Sequence, residues 1–243
     1  MLPTDYQTYI HASRYARFRD DLGRREHWDE TVTRYFDYFE EDLERRHGYR
    51  VPPTLRSELY DAVSGLHVMT SMRALMTAGE AARRENLAIY NCAYVAIDRP
   101  RAFAEILYIL MCGTGVGFSV ERQYINLLPE VPNDFSQTAF DIIVGDSKRG
   151  WAEAFEVLLT CLYAGTVPHI IYDEIRPAGE RLKVFGGRAS GPEPLQRLFE
   201  FTIRTFRNAA GRRLNSLECH EIATMTGDIV VVGGVRRSAE ISL

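Results

Sequence analysis

From residue 87 onward, short apolar runs alternate with amphipathic helical repeats, and this alternation limits the possible folds more than any other feature of the chain. The run Leu87-Ala88-Ile89-Tyr90-Asn91-Cys92-Ala93-Tyr94-Val95-Ala96-Ile97 is apolar on both faces of any strand it forms, which predicts a strand covered on both sides. Pro100 suits the first turn of a following helix, and Phe103, Ile106, Leu107, Leu110 and Met111 fall on one stripe of it. The glycine-rich run Cys112-Gly113-Thr114-Gly115-Val116-Gly117 ends that helix, and Phe118-Ser119-Val120 predicts another short strand. Strand, helix, strand is the order of α/β units with mainly parallel pairing.

The rest of the chain fits the same plan. Trp28, Val32, Tyr35, Phe36, Phe39 and Leu43 predict an amphipathic helix over 24–46, stopped by Gly48 and the Pro52-Pro53 pair, with a second helix over 55–68. Trp151, Ala154, Phe155, Leu158, Leu159 and Leu162 predict a helix over 151–163 with Gly165 as its stop, followed by a strand over 169–172. A glycine-rich segment over 185–192 opens a helix bearing Leu195, Leu198, Phe199 and Ile203. One more helix, over 216–225, leads into Ile229-Val230-Val231-Val232-Gly233-Gly234. The closing Ala239-Glu240-Ile241-Ser242-Leu243 alternates like a strand being entered. This gives a helical N-terminal lobe, 1–86, and an α/β part, 87–243.

With 29 Lys and Arg against 33 Asp and Glu, the net charge of −4 is too small for nucleic-acid or membrane binding through a bulk field. Cys92, Cys112, Cys161 and Cys219 form no C-x-x-C pair and no zinc-finger spacing, so no metal site is expected. The chain shows no signal-peptide core and no membrane-length apolar run, which points to the cytoplasm and reduced thiols. Gly113, Gly115 and Gly117 do not make a dinucleotide-binding turn, because a helix precedes them and a strand follows. They read either as a tight helix-to-strand turn or as a place where phosphate or sugar approaches the backbone. Cys92 taken alone reads as a small core hydrophobe. Arg122, Arg188, Arg236 and Arg237 each follow a glycine-rich turn, and arginine matches phosphate bidentately, although each alone is a weak signal.

Taken in order, several segments resemble one family. Asn91-Cys92-Ala93-Tyr94-Val95, Cys112-Gly113-Thr114-Gly115-Val116-Gly117-Phe118-Ser119-Val120-Glu121, Ile175-Arg176-Pro177-Ala178-Gly179, Phe185-Gly186-Gly187-Arg188-Ala189-Ser190-Gly191-Pro192 and Val232-Gly233-Gly234-Val235-Arg236-Arg237-Ser238-Ala239-Glu240 look like the first part of class II, adenosylcobalamin-dependent ribonucleotide reductases, nearest the ribonucleoside-triphosphate type. Arg24-Arg25-Glu26-His27-Trp28-Asp29-Glu30-Thr31 and Ser71-Met72-Arg73-Ala74-Leu75-Met76-Thr77-Ala78-Gly79 fit the same pattern.

The resemblance implies the first half of a ten-stranded α/β barrel preceded by the helical lobe, and a reaction in which a cysteine thiyl opens the chemistry while two further thiols become a disulfide. It makes Cys92 one of the two reducing cysteines, and sets Asn91 and Gly115 beside substrate. Ser71 falls in the segment that resembles the substrate-phosphate loop, although Thr70 stands where the family has proline. Gly233, Gly234, Arg236, Arg237 and Ser238 resemble the loop that links an allosteric deoxynucleotide to the active site, with Arg122 near the effector. The implied partners are a ribonucleoside di- or triphosphate, a deoxynucleotide effector, a thioredoxin-like reductant and adenosylcobalamin. The family's Asn-Pro-Cys-Gly-Glu motif, which carries the thiyl cysteine, does not occur in the sequence. The expectation is therefore an N-terminal fragment or split subunit, inactive alone and completed by a C-terminal reductase half. The alternatives are a non-catalytic nucleotide-effector-binding module and a piece of a class I reductase large subunit.

Overall fold

The computed structural model describes residues 2–180, 189–230 and 239–243. The chain divides into two compact units, Met1–Tyr90 and Asn91–Leu243.

The first unit opens with α1 (Asp5–Ile10), capped reciprocally by Thr4 and Gln7, and a π-helical turn, His11–Tyr15. A short antiparallel hairpin follows, β1 (Phe18–Arg19) with β2 (Arg24–Arg25). Then come α2 (Trp28–His47), α3 (Pro53–Ser64), α4 (Met72–Thr77) and α5 (Glu80–Arg84). The long helix begins at Trp28 rather than at residue 24. Arg24 and Arg25 are taken up by strand pairing, and His27 with Glu30 forms a capping box that sets the start. It ends where Gly48 adopts φ 64°, a left-handed conformation that costs glycine little. Pro53 opens α3, which ends at Ser64, short of the expected residue 68. Trp28, Val32 and Phe36 of α2 pack with Val63 and Leu75, which accounts for the apolar stripe read in the sequence.

In the second unit the order is β3 (Cys92–Ala96), α6 (Arg101–Met111), β4 (Gly115–Ser119), α7 (Arg122–Ile125), β5 (Ser136–Ile143), α8 (Lys148–Tyr163), β6 (Thr166–Ile171), α9 (Glu193–Asn208), α10 (Ser216–Ile229) and β7 (Glu240–Ser242). Strands β3, β4 and β7 form one parallel sheet with β4 in the middle, and β5 pairs with β6 in a second parallel sheet. Parallel neighbours need crossovers, which α6 and α8 provide between β3 and β4 and between β5 and β6. The core joins Val95, Val116 and Phe118 of the first sheet to Phe103, Leu107 and Leu110 of α6, Phe155 and Leu158 of α8, Phe199 and Phe206 of α9, and Ile222 of α10. Each fully buried phenylalanine in this cluster contributes roughly 1.5–3 kcal/mol.

Four expectations change. The run over 87–97 is not one strand: Asn86–Ile89 makes a 3₁₀ turn, and pairing starts at Cys92. Gly115 and Gly117 lie inside β4 rather than in a loop, so only Gly113, at φ 80°, makes the turn. The helix expected over 216–225 runs on to Ile229. Strand β5 was not anticipated, because its mostly exposed residues show little apolar alternation.

Candidate functional site

The register of the three-stranded sheet decides which residues share a face. Cys92 lies opposite Gly115, Tyr94 opposite Gly117 and Ala96 opposite Ser119, while Ile241 lies opposite Gly117 from the other side. Side chains alternate along each strand, so Cys92, Tyr94, Gly115, Gly117 and Ile241 occupy one face, and Val95, Val116 and Phe118 point into the core on the other. The expectation of a strand covered on both sides is thus corrected. Cys92 is exposed, and Tyr94, Ile241 and Leu243 are 53%, 60% and 60% exposed. The α6 stripe covers one face only, because its apolar residues are taken up by the Val95–Phe118 side.

Three of the expected residues come together at the start of this sheet. The Gly115 N–H donates to the Asn91 carbonyl at 2.9 Å, and the Val116 N–H donates to the Ala239 carbonyl at 2.9 Å. A Cβ at position 115 would stand 3.3 Å from the Ala239 oxygen and 3.6 Å from the Asn91 oxygen, so a side chain there would press on both neighbouring strands. With glycine opposite it, the Cys92 thiol has no side chain of β4 across from it. Gly115→Val is expected to destabilise the second unit by about 1–3 kcal/mol through overpacking, read as a lower thermal midpoint, with Gly115→Ala milder.

The four thiols differ in access. Cys92 is exposed, Cys161 half-buried, and Cys112 and Cys219 buried. Burial, with the Glu218 carboxylate adding to it, pushes the Cys219 thiol up to about 12. Since the thiolate is the reactive form, Cys219 is expected to alkylate at least a hundredfold more slowly than Cys92, on the order set by thiolate fraction and access. Peptide mapping after a timed iodoacetamide pulse at pH 8 checks the order, with Cys92 first.

The other expected residues are placed elsewhere. Arg122 is exposed and opens α7, three residues beyond the end of β4 and at the other end of that strand from Gly115. Ser71 belongs to the first unit, where its hydroxyl accepts the Ala74 N–H at 3.4 Å and caps α4. Gly233, Gly234, Arg236, Arg237 and Ser238, with Arg188, lie outside the described residues. Tyr94 and Ser119 were not singled out from the sequence. The period-two alternation from Cys92 would have found Tyr94, but Ser119 joins that face only through the β3–β4 register.

Comparison with known proteins bears on what this face belongs to. No protein-family model matches the chain. It is 31% identical, over an alignment 292 positions long that covers 94% of its length, to an adenosylcobalamin-dependent ribonucleoside-triphosphate reductase of Lactobacillus delbrueckii subsp. bulgaricus, and 30% identical over the same span to that of Lactobacillus leichmannii. A crystal structure of a B12-dependent class II ribonucleotide reductase superposes on 97% of the chain with a TM-score of 0.83 and 25% identity. The chain is homologous to the N-terminal part of class II ribonucleotide reductases. It spans 39% of the length of those two relatives and 41% of that of the crystal structure. Its mixed α/β architecture is that of the corresponding part of the reductase fold.

Adenosylcobalamin stands in the names of the relatives, and this reductase homologue can be tested for a cradle that would hold it. Among the described residues no group of three or more His, Cys, Asp and Glu is placed to hold a metal ion. The gaps over Gly115 and Gly117 are not ligand-shaped either: the first is closed by Ala239 and Asn91, the second by Leu243 and Ile241. Neither observation identifies a corrin-binding surface among the described residues. No helix among the described residues is long and apolar enough to cross a membrane.

Proposed function

We propose that this chain supplies the reducing-thiol side of a ribonucleotide reductase, with Cys92 as one of the two cysteines that donate electrons to the ribose of a ribonucleoside di- or triphosphate. The carrying observation is the exposed Cys92 thiol on the open sheet face, in register with Gly115 and next to the Asn91 carbonyl that the Gly115 N–H engages. The thiol lies on the exposed face of the sheet, and β4 presents no side chain opposite it.

The overall step balances as one ribonucleotide and two thiols giving one deoxyribonucleotide, one disulfide and one water. The 2′-hydroxyl leaves as water, the two sulfurs lose two electrons and two protons in forming their bond, and the radical at the 3′ carbon is returned at the end. Cys92 is one of those sulfurs in this reading. The second reducing cysteine and the thiyl cysteine come from a C-terminal reductase half, since Asn-Pro-Cys-Gly-Glu does not occur in residues 1–243. The three-stranded sheet and the β5–β6 pair then belong to the first half of a ten-stranded barrel, and the helical lobe precedes it. Residues 233–238 act as the specificity loop, with Arg236 or Arg237 reading a nucleotide and Arg122 near the deoxynucleotide effector. Ser71 contributes to substrate phosphate binding. Adenosylcobalamin is held chiefly by residues other than those described, a thioredoxin-like dithiol resets the disulfide, and the assembly works in the cytoplasm.

The test mixes the chain with a polypeptide carrying the Asn-Pro-Cys-Gly-Glu half, ribonucleoside triphosphate, adenosylcobalamin and a dithiol. Deoxyribonucleotide is the expected product. A folded, stoichiometric complex that makes none overturns the reading.

A further inference from the structure

Glu240 opens β7 but does not share the open face of Cys92. It pairs opposite the buried Val116, so its side chain points to the helix-covered side of the sheet. There it meets α10. The Thr226 hydroxyl donates to the Ala223 carbonyl at 2.7 Å and reaches Glu240 Oε1 at 3.4 Å. A Cβ at Gly227 would stand 2.6 Å from Glu240 Cδ and closer still to Oε2. The carboxyl thus fills a slot that exists because residue 227 has no side chain, and any larger residue there would push the carboxyl out.

Among the described residues, the Thr226 hydroxyl is the group within hydrogen-bond reach of the half-buried carboxyl in that slot. Burial pushes the Glu240 carboxyl up to about 7, with the Thr226 hydroxyl pulling slightly the other way. Strand β4, Gly115–Ser119, presents no titratable side chain to it. On α10 the nearby titratable groups are Asp228, which is exposed, His220, whose ring lies 5.7 Å from that of Phe118, and Cys219, whose buried thiol stays neutral. None of them contributes to the position of the Glu240 titration.

Helix α10 ends at Ile229 and β7 begins at Glu240, so this contact joins two elements that lie either side of residues 230–239 in the chain. We infer that Glu240 is a positioning residue whose carboxyl, seated in the slot over Gly227, pins β7 to α10, and that driving it out of the slot releases β7. The consequence for nucleotide specificity rests on the reading of residues 233–238 given above, whereas the pin itself does not.

Amide hydrogen exchange on the 243-residue chain between pH 5 and pH 8 tests the pin without any reductase assay. The two reporters are the Leu243 N–H, which donates to Phe118 O at 2.9 Å, and the Val116 N–H, which donates to Ala239 O at 2.9 Å. A folded pKa above the unfolded value means that the open state binds fewer protons, so opening becomes easier as pH rises. After correction for intrinsic exchange, the opening constant of both reporters is expected to rise about tenfold per pH unit up to about pH 7 and then level off. Glu240→Gln should flatten that rise. Gly227→Ala should flatten it too, at the level the unaltered chain reaches above pH 7, because the expelled carboxyl titrates in water. The α8 amides serve as the control for folding in both variants. A flat profile in the unaltered chain, or an unchanged slope in either variant, overturns the inference. Product formation by the reconstituted reductase with a failed pin would remove the pin alone, and an intact pin without product would remove only the reductase reading.

Discussion

Cys92→Ser is expected to abolish multiple turnover in the reconstituted reductase, a loss on the order of a thousandfold or more, while leaving the fold and nucleotide binding close to those of the unaltered chain. Serine matches the shape of cysteine but cannot lose an electron to form a disulfide, so the two-electron reduction of the sugar has no second sulfur to close on. Cys92 is exposed and lies outside the buried core cluster, so removing its sulfur costs little packing. Deoxyribonucleotide yield over many turnovers with excess dithiol is the measurement, with thermal melting as the control. An unaffected rate would take Cys92 out of the proposed chemistry.

The largest stability effect is expected in the first unit, at the Arg34–Glu26 pair. Glu26 sits between β2 and α2 with its side chain 5% exposed, and Arg34 grips it through Nε to Oε1 at 2.8 Å and Nη2 to Oε2 at 3.0 Å. The same guanidinium donates to the carbonyls of Leu75 at 3.2 Å and Ala78 at 2.7 Å, tying α2 to α4. Glu26 also accepts the Arg17 N–H at 3.0 Å and the Thr31 hydroxyl at 2.9 Å, and that hydroxyl lies 2.9 Å from His11 Nε2. Arg34→Ala would leave a buried carboxylate and two helix-end carbonyls without their partner, which costs about 3–5 kcal/mol. The double change Glu26→Leu with Arg34→Met should cost less than the single one, because no charge is then stranded. Urea unfolding of the full chain, followed by Trp28 fluorescence in a Trp151→Phe background, reads this unit separately. Equal losses in the single and double variants would show that the pair contributes nothing beyond its bulk.

The two units should respond to pH in opposite senses. Burial raises the Glu26 carboxyl, but Arg34, the Arg17 N–H and Thr31 outweigh it and hold Glu26 below its usual range. Its contribution is therefore present above pH 4.5 and lost as pH falls through the depressed value. Burial lowers the His11 imidazole, the Glu26 carboxylate opposing, so the unfolded chain takes up a proton first as pH drops below 6.5. Both groups make acid loosen the first unit. Glu240 acts the other way in the second, where its contribution is full below pH 4.5 and is lost as pH rises through about 7.

Much of this architecture was legible in the chain itself, and the reason differs from element to element. The helix after Pro100 was readable because a 3.6-residue stripe of Phe103, Ile106, Leu107, Leu110 and Met111 fits one face of a helix and no strand. The stop at Gly48 was readable because the run of helical spacing ends at a residue that tolerates positive φ. By contrast, Gly115 and Gly117 read as a loop because glycine is a poor strand former. They sit in β4 because neighbouring strands approach their backbone closely on both sides. Strand β5 escaped because its residues are mostly exposed and leave no alternation to detect.

The chain alone determined the periodic elements, the parallel α/β plan and the ordered motifs that resemble class II reductases, because helical period, caps and local motifs are properties of neighbouring residues. Tertiary structure decided which of those residues meet. That Cys92 faces Gly115 on an open sheet surface follows from a strand register set by hydrogen bonds between distant segments. That Glu240 finds the gap over Gly227 follows from the docking of β7 against a helix. Neither pairing leaves a periodic trace in the sequence, since a one-residue slip would turn every side chain of the strand to the opposite face without altering its composition.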